Sequence, residues 1–166
     1  MSQPLRETMK LWDGEVSYLE WGSPAPSLLF SHATGFNAET YRMLLQPLSD
    51  RFHLYAIDQR GHGFTPLPTE ENLAKDWLIY RDDLVRFLDG LDGRPMILAG
   101  HSMGATVSLM AALLRPDLVR GLVLIEPVFM PGSRFHWMLA KWRMGKRGDP
   151  DLAERAAKRR DTFESL

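Results

Sequence analysis

Apolar residues along this chain fall into short runs, separated by glycine, proline and small polar residues, and the spacing within the runs is of two kinds. Residues 8–12 and 16–21 flank Asp13-Gly14, a strong turn dipeptide, and predict an antiparallel hairpin. A turn-rich break over 22–26 leads to a short buried strand at 27–30 and then to a small-residue loop, Ser31-His32-Ala33-Thr34-Gly35-Phe36-Asn37. A helix is expected over 39–48, then a strand over 52–57 closed by Asp58-Gln59-Arg60-Gly61-His62-Gly63. Beyond a proline-containing loop at 64–72, residues 73–91 place Trp77, Tyr80, Leu84, Phe87 and Leu88 at helical spacing and stop near Gly90. A strand at 96–99, a helix at 106–114 ending around Arg115-Pro116, and a last buried strand at 122–125 complete the series. After the hairpin, strands and helices alternate. That order predicts an α/β fold with a mostly parallel sheet and helices on both faces.

The pattern changes at about Pro131. Residues 134–160 read as helical, interrupted at 145–150, with Trp137, Leu139 and Trp142 as apolar sites among many Lys and Arg residues. This is the expected start of a helical excursion above the sheet, so the chain divides into a core over 1–130 and a cap segment over 131–166. Residues 1–133 carry 11 basic and 16 acidic side chains, and residues 134–166 carry 9 and 5. No stacking platform or repeated basic motif accompanies the positive segment, which reads as a solvated face rather than a nucleic-acid or membrane surface.

Composition narrows the chemistry. With 166 residues, 45% of them hydrophobic, and a net charge of −1, the chain suits one domain with its own core, and its global charge selects no partner. It has no cysteine, which excludes disulfides, thiolate metal sites and a cysteine nucleophile. The first residues lack an apolar leader and no apolar run approaches spanning length, so a cytoplasmic protein is expected. No His-Glu-x-x-His, phosphate-cradling loop or dinucleotide fingerprint occurs, so neither metal nor cofactor is implied.

The candidate chemistry sits at Gly100-His101-Ser102-Met103-Gly104. The Gly-x-Ser-x-Gly spacing lies between a buried strand and a helix, the context in which a sharp turn lifts a serine hydroxyl above the sheet. The chain here resembles the α/β-hydrolase superfamily. Three stretches carry the resemblance in the family's order: His32-Ala33-Thr34-Gly35-Phe36, Asp58-x-Arg60-Gly61-x-Gly63, and the serine turn. The likeness covers about 9–130, and the tail is similar to the start of the family's variable cap. His32-Ala33 departs from the usual His-Gly. The resemblance also implies two further strands and a catalytic histidine after the cap, and on that reading the 166 residues form an N-terminal portion of the fold.

A serine hydroxyl needs a base in hydrogen-bond reach, held in turn by a carboxylate, and two N–H donors for the tetrahedral intermediate. The mechanics of the motif assign one donor to the backbone of Met103 and the other to Thr34. Glu126 ends the last strand, 24 residues after Ser102, at the sheet edge where open α/β folds bind ligands. Some family members resemble this placement of the acid, while more take it from the following strand. His32 and His62 lie in turns and suit structural hydrogen bonds, His53 opens a strand, and His101 should point away from substrate. Only His136, in the cap segment, follows both Ser102 and Glu126 in the order Ser, acid, His.

The expected function is a serine-dependent hydrolase acting on a small-molecule, ester-like substrate through an acyl-enzyme. The alternative is a non-catalytic binding module with a degenerate triad. The serine speaks against the aspartate-dependent haloalkane and epoxide branches, but it does not separate esters from thioesters, lactones or carbon–carbon cleavage. The sheet should run 1-2-4-3-5-6, leaving the strand at 122–125 as an apolar edge open to self-association.

Overall fold

A computed structural model describes residues 3–24, 26–69, 77–91 and 93–129. The cap segment at 131–166, with His136, lies outside the described residues. Six strands form one sheet: β1 (Leu5–Lys10), β2 (Glu15–Gly22), β3 (Ser27–Ser31), β4 (His53–Ile57), β5 (Met96–His101) and β6 (Val119–Ile125). Their spatial order is β1-β2-β4-β3-β5-β6, as the sequence led us to expect. β1–β2 and β2–β4 pair antiparallel, and β4–β3, β3–β5 and β5–β6 pair parallel.

The inner strands are buried on both faces, which is why they read as continuous apolar runs rather than alternating ones. Leu29 of β3 and Leu98 of β5 face one layer, together with Leu84, Phe87 and Leu88 of α2 (Leu78–Gly90) and Val107 and Ala111 of α3 (Met103–Leu114). Leu28 and Phe30 of β3 and Ala99 of β5 face the other, where Ala38, Leu45 and Leu48 cover them. Helical segments therefore flank both faces.

Several expected boundaries shift. The segment at 39–48 is helical throughout, but only α1 (Arg42–Leu45) is α-helix, between 3-10 turns at Glu39–Tyr41 and Gln46–Leu48. Pro47 has no N–H for the Met43 carbonyl, so the α pattern cannot continue. The helix expected from residue 73 begins at Leu78; Trp77 is left-handed at φ 56°, and 73–76 lie outside the described residues.

The hairpin turn is longer than Asp13-Gly14 alone predicts. Lys10 pairs with Glu15, leaving Leu11–Gly14 as the loop, closed by Leu11 N–H to the Gly14 carbonyl at 2.7 Å. The cause is tertiary. Buried Arg60 grips Asp13 with Nη1 and Nη2 at 2.7 and 3.0 Å, and grips Asp83 of α2 with Nε and Nη2 at 2.7 and 2.9 Å. Nη1 also donates to the Pro68 carbonyl at 3.2 Å, and Trp12 Nε1 donates to Asp83. A buried guanidinium is tolerable only when its donors are used, and here two carboxylates and a carbonyl use them. The Asp-x-Arg turn thus staples the hairpin to α2.

β6 is longer than the strand expected at 122–125 and forms the apolar edge that the expected strand order implied. Leu122, Val123 and Ile125 are 38%, 48% and 39% exposed, because among the described residues β6 has a neighbour on one side only.

Candidate active site

β5 runs to His101 and α3 starts at Met103, so Ser102 alone makes the turn from strand to helix. Its backbone sits at φ 52°, ψ −116°, a conformation that costs a non-glycine residue about 1–3 kcal/mol and persists only where the surroundings enforce it. The enforcement is steric. A Cβ on Gly100 would lie 2.5 Å from the Gly104 carbonyl, and one on Gly104 would lie 2.1 Å from the Ser31 carbonyl oxygen. The two glycines of the motif let β5, α3 and the end of β3 meet with no side chain between them. Ser102 N–H donates to the Ile125 carbonyl at 2.9 Å, tying the turn to β6. Thr106 Oγ1 donates to the Val128 carbonyl at 2.7 Å and holds the segment after β6 against α3.

Beside the turn stands the loop that follows β3. Phe36 N–H donates to the Ala33 carbonyl at 3.1 Å, closing a four-residue turn with Gly35 at φ 79° in its third position. Nothing lies within 4 Å of where a Gly35 Cβ would be, so only the backbone angle demands glycine there. His32 Nδ1–H donates to the same Ala33 carbonyl at 2.8 Å. The Thr34 N–H shares a trans peptide plane with that carbonyl, so fixing the oxygen aims the N–H the opposite way. Thr34 Oγ1 lies 3.3 Å from Met103 Sδ, and Met103 opens α3, where the first N–H groups have no helical partner. Thr34 and Met103 therefore stand side by side, next to Ser102.

His32 is a structural pin. Fully buried, it accepts Gln59 N–H on Nε2 at 2.9 Å, while Gln59 Nε2 donates to its carbonyl at 2.7 Å. Burial, with a smaller contribution from nearby His62, pushes its pKa down to about 4, so the ring is neutral with its proton on Nδ1. The other turn histidine, His62, bonds the Arg60 carbonyl at 2.8 Å, and His53 pairs with Glu20 at 2.8 Å. The hydrogen bonds of His32 and His62 match the structural roles read from the sequence, and His53 opens β4 as expected.

Glu126 lies where the strand pairing puts it. His101 is in register with Ile125, so Ser102 and Glu126 are the first residues beyond the ends of two adjacent parallel strands. Both have positive φ, 52° and 46°. The Glu126 side chain is 87% exposed, with Oε2 3.9 Å from His101 Nε2. The other ring nitrogen of His101, Nδ1, lies 2.7 Å from the Tyr41 hydroxyl. His101 thus bonds Tyr41 on one side and faces Glu126 on the other, and the expected helix at 39–48 gave no sign of the Tyr41 partner. Among the described residues no histidine hydrogen-bonds the Ser102 hydroxyl, and no three His, Asp or Glu side chains are grouped to hold a metal.

Residues 28–165 match the Alpha/beta hydrolase family. The chain belongs to that family. Among curated relatives, it is 42% identical over 101 residues to a 2-(acetamidomethylene)succinate hydrolase of Mesorhizobium japonicum, covering 61% of this chain and 35% of that protein. An esterase of Mycobacterium tuberculosis is 30% identical over 123 residues, covering 74% of this chain and 40% of the relative. The crystal structure of E-2-(acetamidomethylene)succinate hydrolase superposes with a TM-score of 0.68 at 34% identity, over 83% of this chain and 49% of that one. The chain spans less than half the length of these relatives. As an α/β hydrolase its sheet order, serine turn and post-β3 loop take their place in one architecture. Among the described residues no helix is long and apolar enough to cross a membrane.

Proposed function

We propose that the protein is a serine-dependent α/β hydrolase that cleaves an ester-like bond of a small molecule through an acyl-enzyme. One observation carries the reading: Ser102 sits strained at the head of α3, directly beside the Thr34–Met103 pair. In the reaction Ser102 Oγ bonds the substrate carbonyl carbon and its proton passes to a histidine base. The carbonyl oxygen gains charge and is met by the N–H groups of Thr34 and Met103, each worth about 3 kcal/mol when preorganised. Collapse breaks the bond to the leaving group, which takes the proton; water then repeats the sequence in reverse and frees the acid.

Glu126 fits the role of the carboxylate that orients the base, since it is the strand neighbour of the nucleophile. The base is the histidine that the family resemblance expects after the cap; His136, in the expected cap segment at 131–166, is the alternative, being the one histidine of these residues that follows both Ser102 and Glu126. That relatives carry the names hydrolase and esterase supports the reaction class.

The test uses a fluorophosphonate probe on the native protein that contains this chain. Ser102 should be labelled, Ser102→Ala should abolish labelling with folding retained, and Glu126→Gln should slow it by a factor approaching the roughly 10⁴ seen when a triad loses its acid. Labelling that survives in Ser102→Ala removes the nucleophile. A folded wild-type protein that is never labelled makes it a binding module.

A further inference from the structure

We infer that Tyr41 is a positioning residue whose hydroxyl locks the Thr34 loop to the serine turn through His101; this rests on the serine-hydrolase reading. Tyr41 lies 60 residues before His101 in the chain, in the 3-10 turn at Glu39–Tyr41, and no motif marks it. Its hydroxyl touches both sides of the site. It accepts the Ala33 N–H at 3.3 Å and lies 2.7 Å from His101 Nδ1.

Ala33 N–H can only donate, so the Tyr41 oxygen accepts there; in the inferred link the hydroxyl's own proton goes to His101 Nδ1. A neutral His101 then carries its proton on Nε2, on the side of the Glu126 carboxylate at 3.9 Å. Each group has one partner on each side, with no donor facing a donor.

The link acts on Ala33, the residue before Thr34. The Ala33 carbonyl is held by His32 Nδ1–H and Phe36 N–H, and the Ala33 nitrogen by Tyr41. The two bonds to the carbonyl fix the plane that carries the Thr34 N–H, and the Tyr41 bond fixes the preceding plane, so both peptides that meet at the Ala33 Cα are held. Without Tyr41, the side-chain bridge left from this loop to α3 among the described residues is Thr34 Oγ1 to the Met103 sulfur, a weak acceptor. Tyr41 itself is rigid. Its ring packs on Phe30 and Phe36, with centroids 4.6 and 6.0 Å away. Its backbone is anchored through Ala38, whose N–H is held by the buried Asp58 carboxylate at 2.7 Å. Phenylalanine would keep every ring contact and lose only the bridge.

The experiment measures kcat and KM with p-nitrophenyl acetate in the native protein that contains this chain. Tyr41→Phe should lower kcat about tenfold with KM within about twofold, less than the 10²–10³ loss from deleting a donor outright. His101→Leu should match it, and His101→Asn, which keeps an acceptor oxygen near the Nδ1 position, should restore most of the rate. The double variant Tyr41→Phe/His101→Leu should fall no further than either single change, as expected for two members of one link. Equal losses in His101→Asn and His101→Leu, additive losses, or a Tyr41→Phe effect on KM alone would overturn the link. The Ser102→Ala control separates the two levels. Turnover that does not depend on Ser102 sinks the serine reading and the inference with it, whereas serine-dependent turnover unaffected by Tyr41→Phe sinks the inference alone.

Discussion

Acid should weaken this fold through His32, and the size of the effect follows from its burial. The ring is fully enclosed, takes a hydrogen bond from Gln59 N–H on Nε2 and gives one to the Ala33 carbonyl from Nδ1. Protonation would put a second N–H against the Gln59 donor and a charge where no water reaches. Burial therefore lowers the folded pKa from the ordinary 6.5 to about 4. Between those values the unfolded chain binds a proton that the folded chain refuses, so stability falls as pH falls. The contribution is complete above about pH 6.5 and is lost progressively down to about pH 4, where it levels off. The gap corresponds to about 3 kcal/mol in all, of which about 2 kcal/mol has gone by pH 5. That is a large share of a typical margin of about 5–15 kcal/mol.

The assay is guanidinium unfolding at half-unit steps from pH 7.5 to 4.5, for the native protein containing this chain and for its His32→Asn variant. Carboxylates titrate in both, so the difference between the two curves isolates His32. It should shrink by about 2 kcal/mol between pH 7 and pH 5. Parallel curves, or an imidazole proton resonance of His32 that titrates near pH 6.5, would refute the reasoning. Because His32 also holds the Ala33 carbonyl, labelling of Ser102 should decline over the same pH interval before global unfolding.

Two further outcomes are expected. Gly104→Ala should cost about 3 kcal/mol and abolish fluorophosphonate labelling, since its Cβ would sit 2.1 Å from the Ser31 oxygen and 2.5 Å from the His32 oxygen, forcing α3 away from β3; a loss under about 1 kcal/mol in chemical unfolding would contradict that contact. The 1–166 polypeptide on its own should self-associate through β6, whose exposed Leu122, Val123 and Ile125 contrast with the charged Arg6, Glu7 and Lys10 of the opposite edge β1. Val123→Lys should lower its sedimentation coefficient at a given concentration while Glu7→Lys does not, and a monomer at all concentrations would discard the proposal.

Much of the site was legible in the chain, and the reason is local. Gly100 and Ser102 answer a demand made by neighbours a few residues apart, while Gly104 answers to Ser31 and His32 of a distant strand and loop. A strand, one strained residue and a helix need small residues at fixed offsets, and that requirement is written in five positions. The alternation of apolar runs likewise follows from periodicity, so the α/β layering and the order of elements could be read without coordinates. The mainly structural roles of His32 and His62 followed from the turns that hold them.

Tertiary structure decided the rest. The hairpin loop lengthens to Leu11–Gly14 because Arg60, 47 residues away, captures Asp13. The tautomer and low pKa of His32 depend on Gln59 and on the exclusion of water, neither of which a sequence window contains. Tyr41 reads as one more aromatic in a helix until its hydroxyl is found between Ala33 and His101. Glu126 was legible as a strand-end carboxylate, but its place beside Ser102 comes from the register of β6 on β5, and its proximity to His101 from the same pairing. Backbone preference and hydrophobic period are properties of near neighbours and survive in the sequence. Hydrogen-bond partners, protonation and side-chain reach are set by contacts across dozens of residues, and they exist only once the chain has packed.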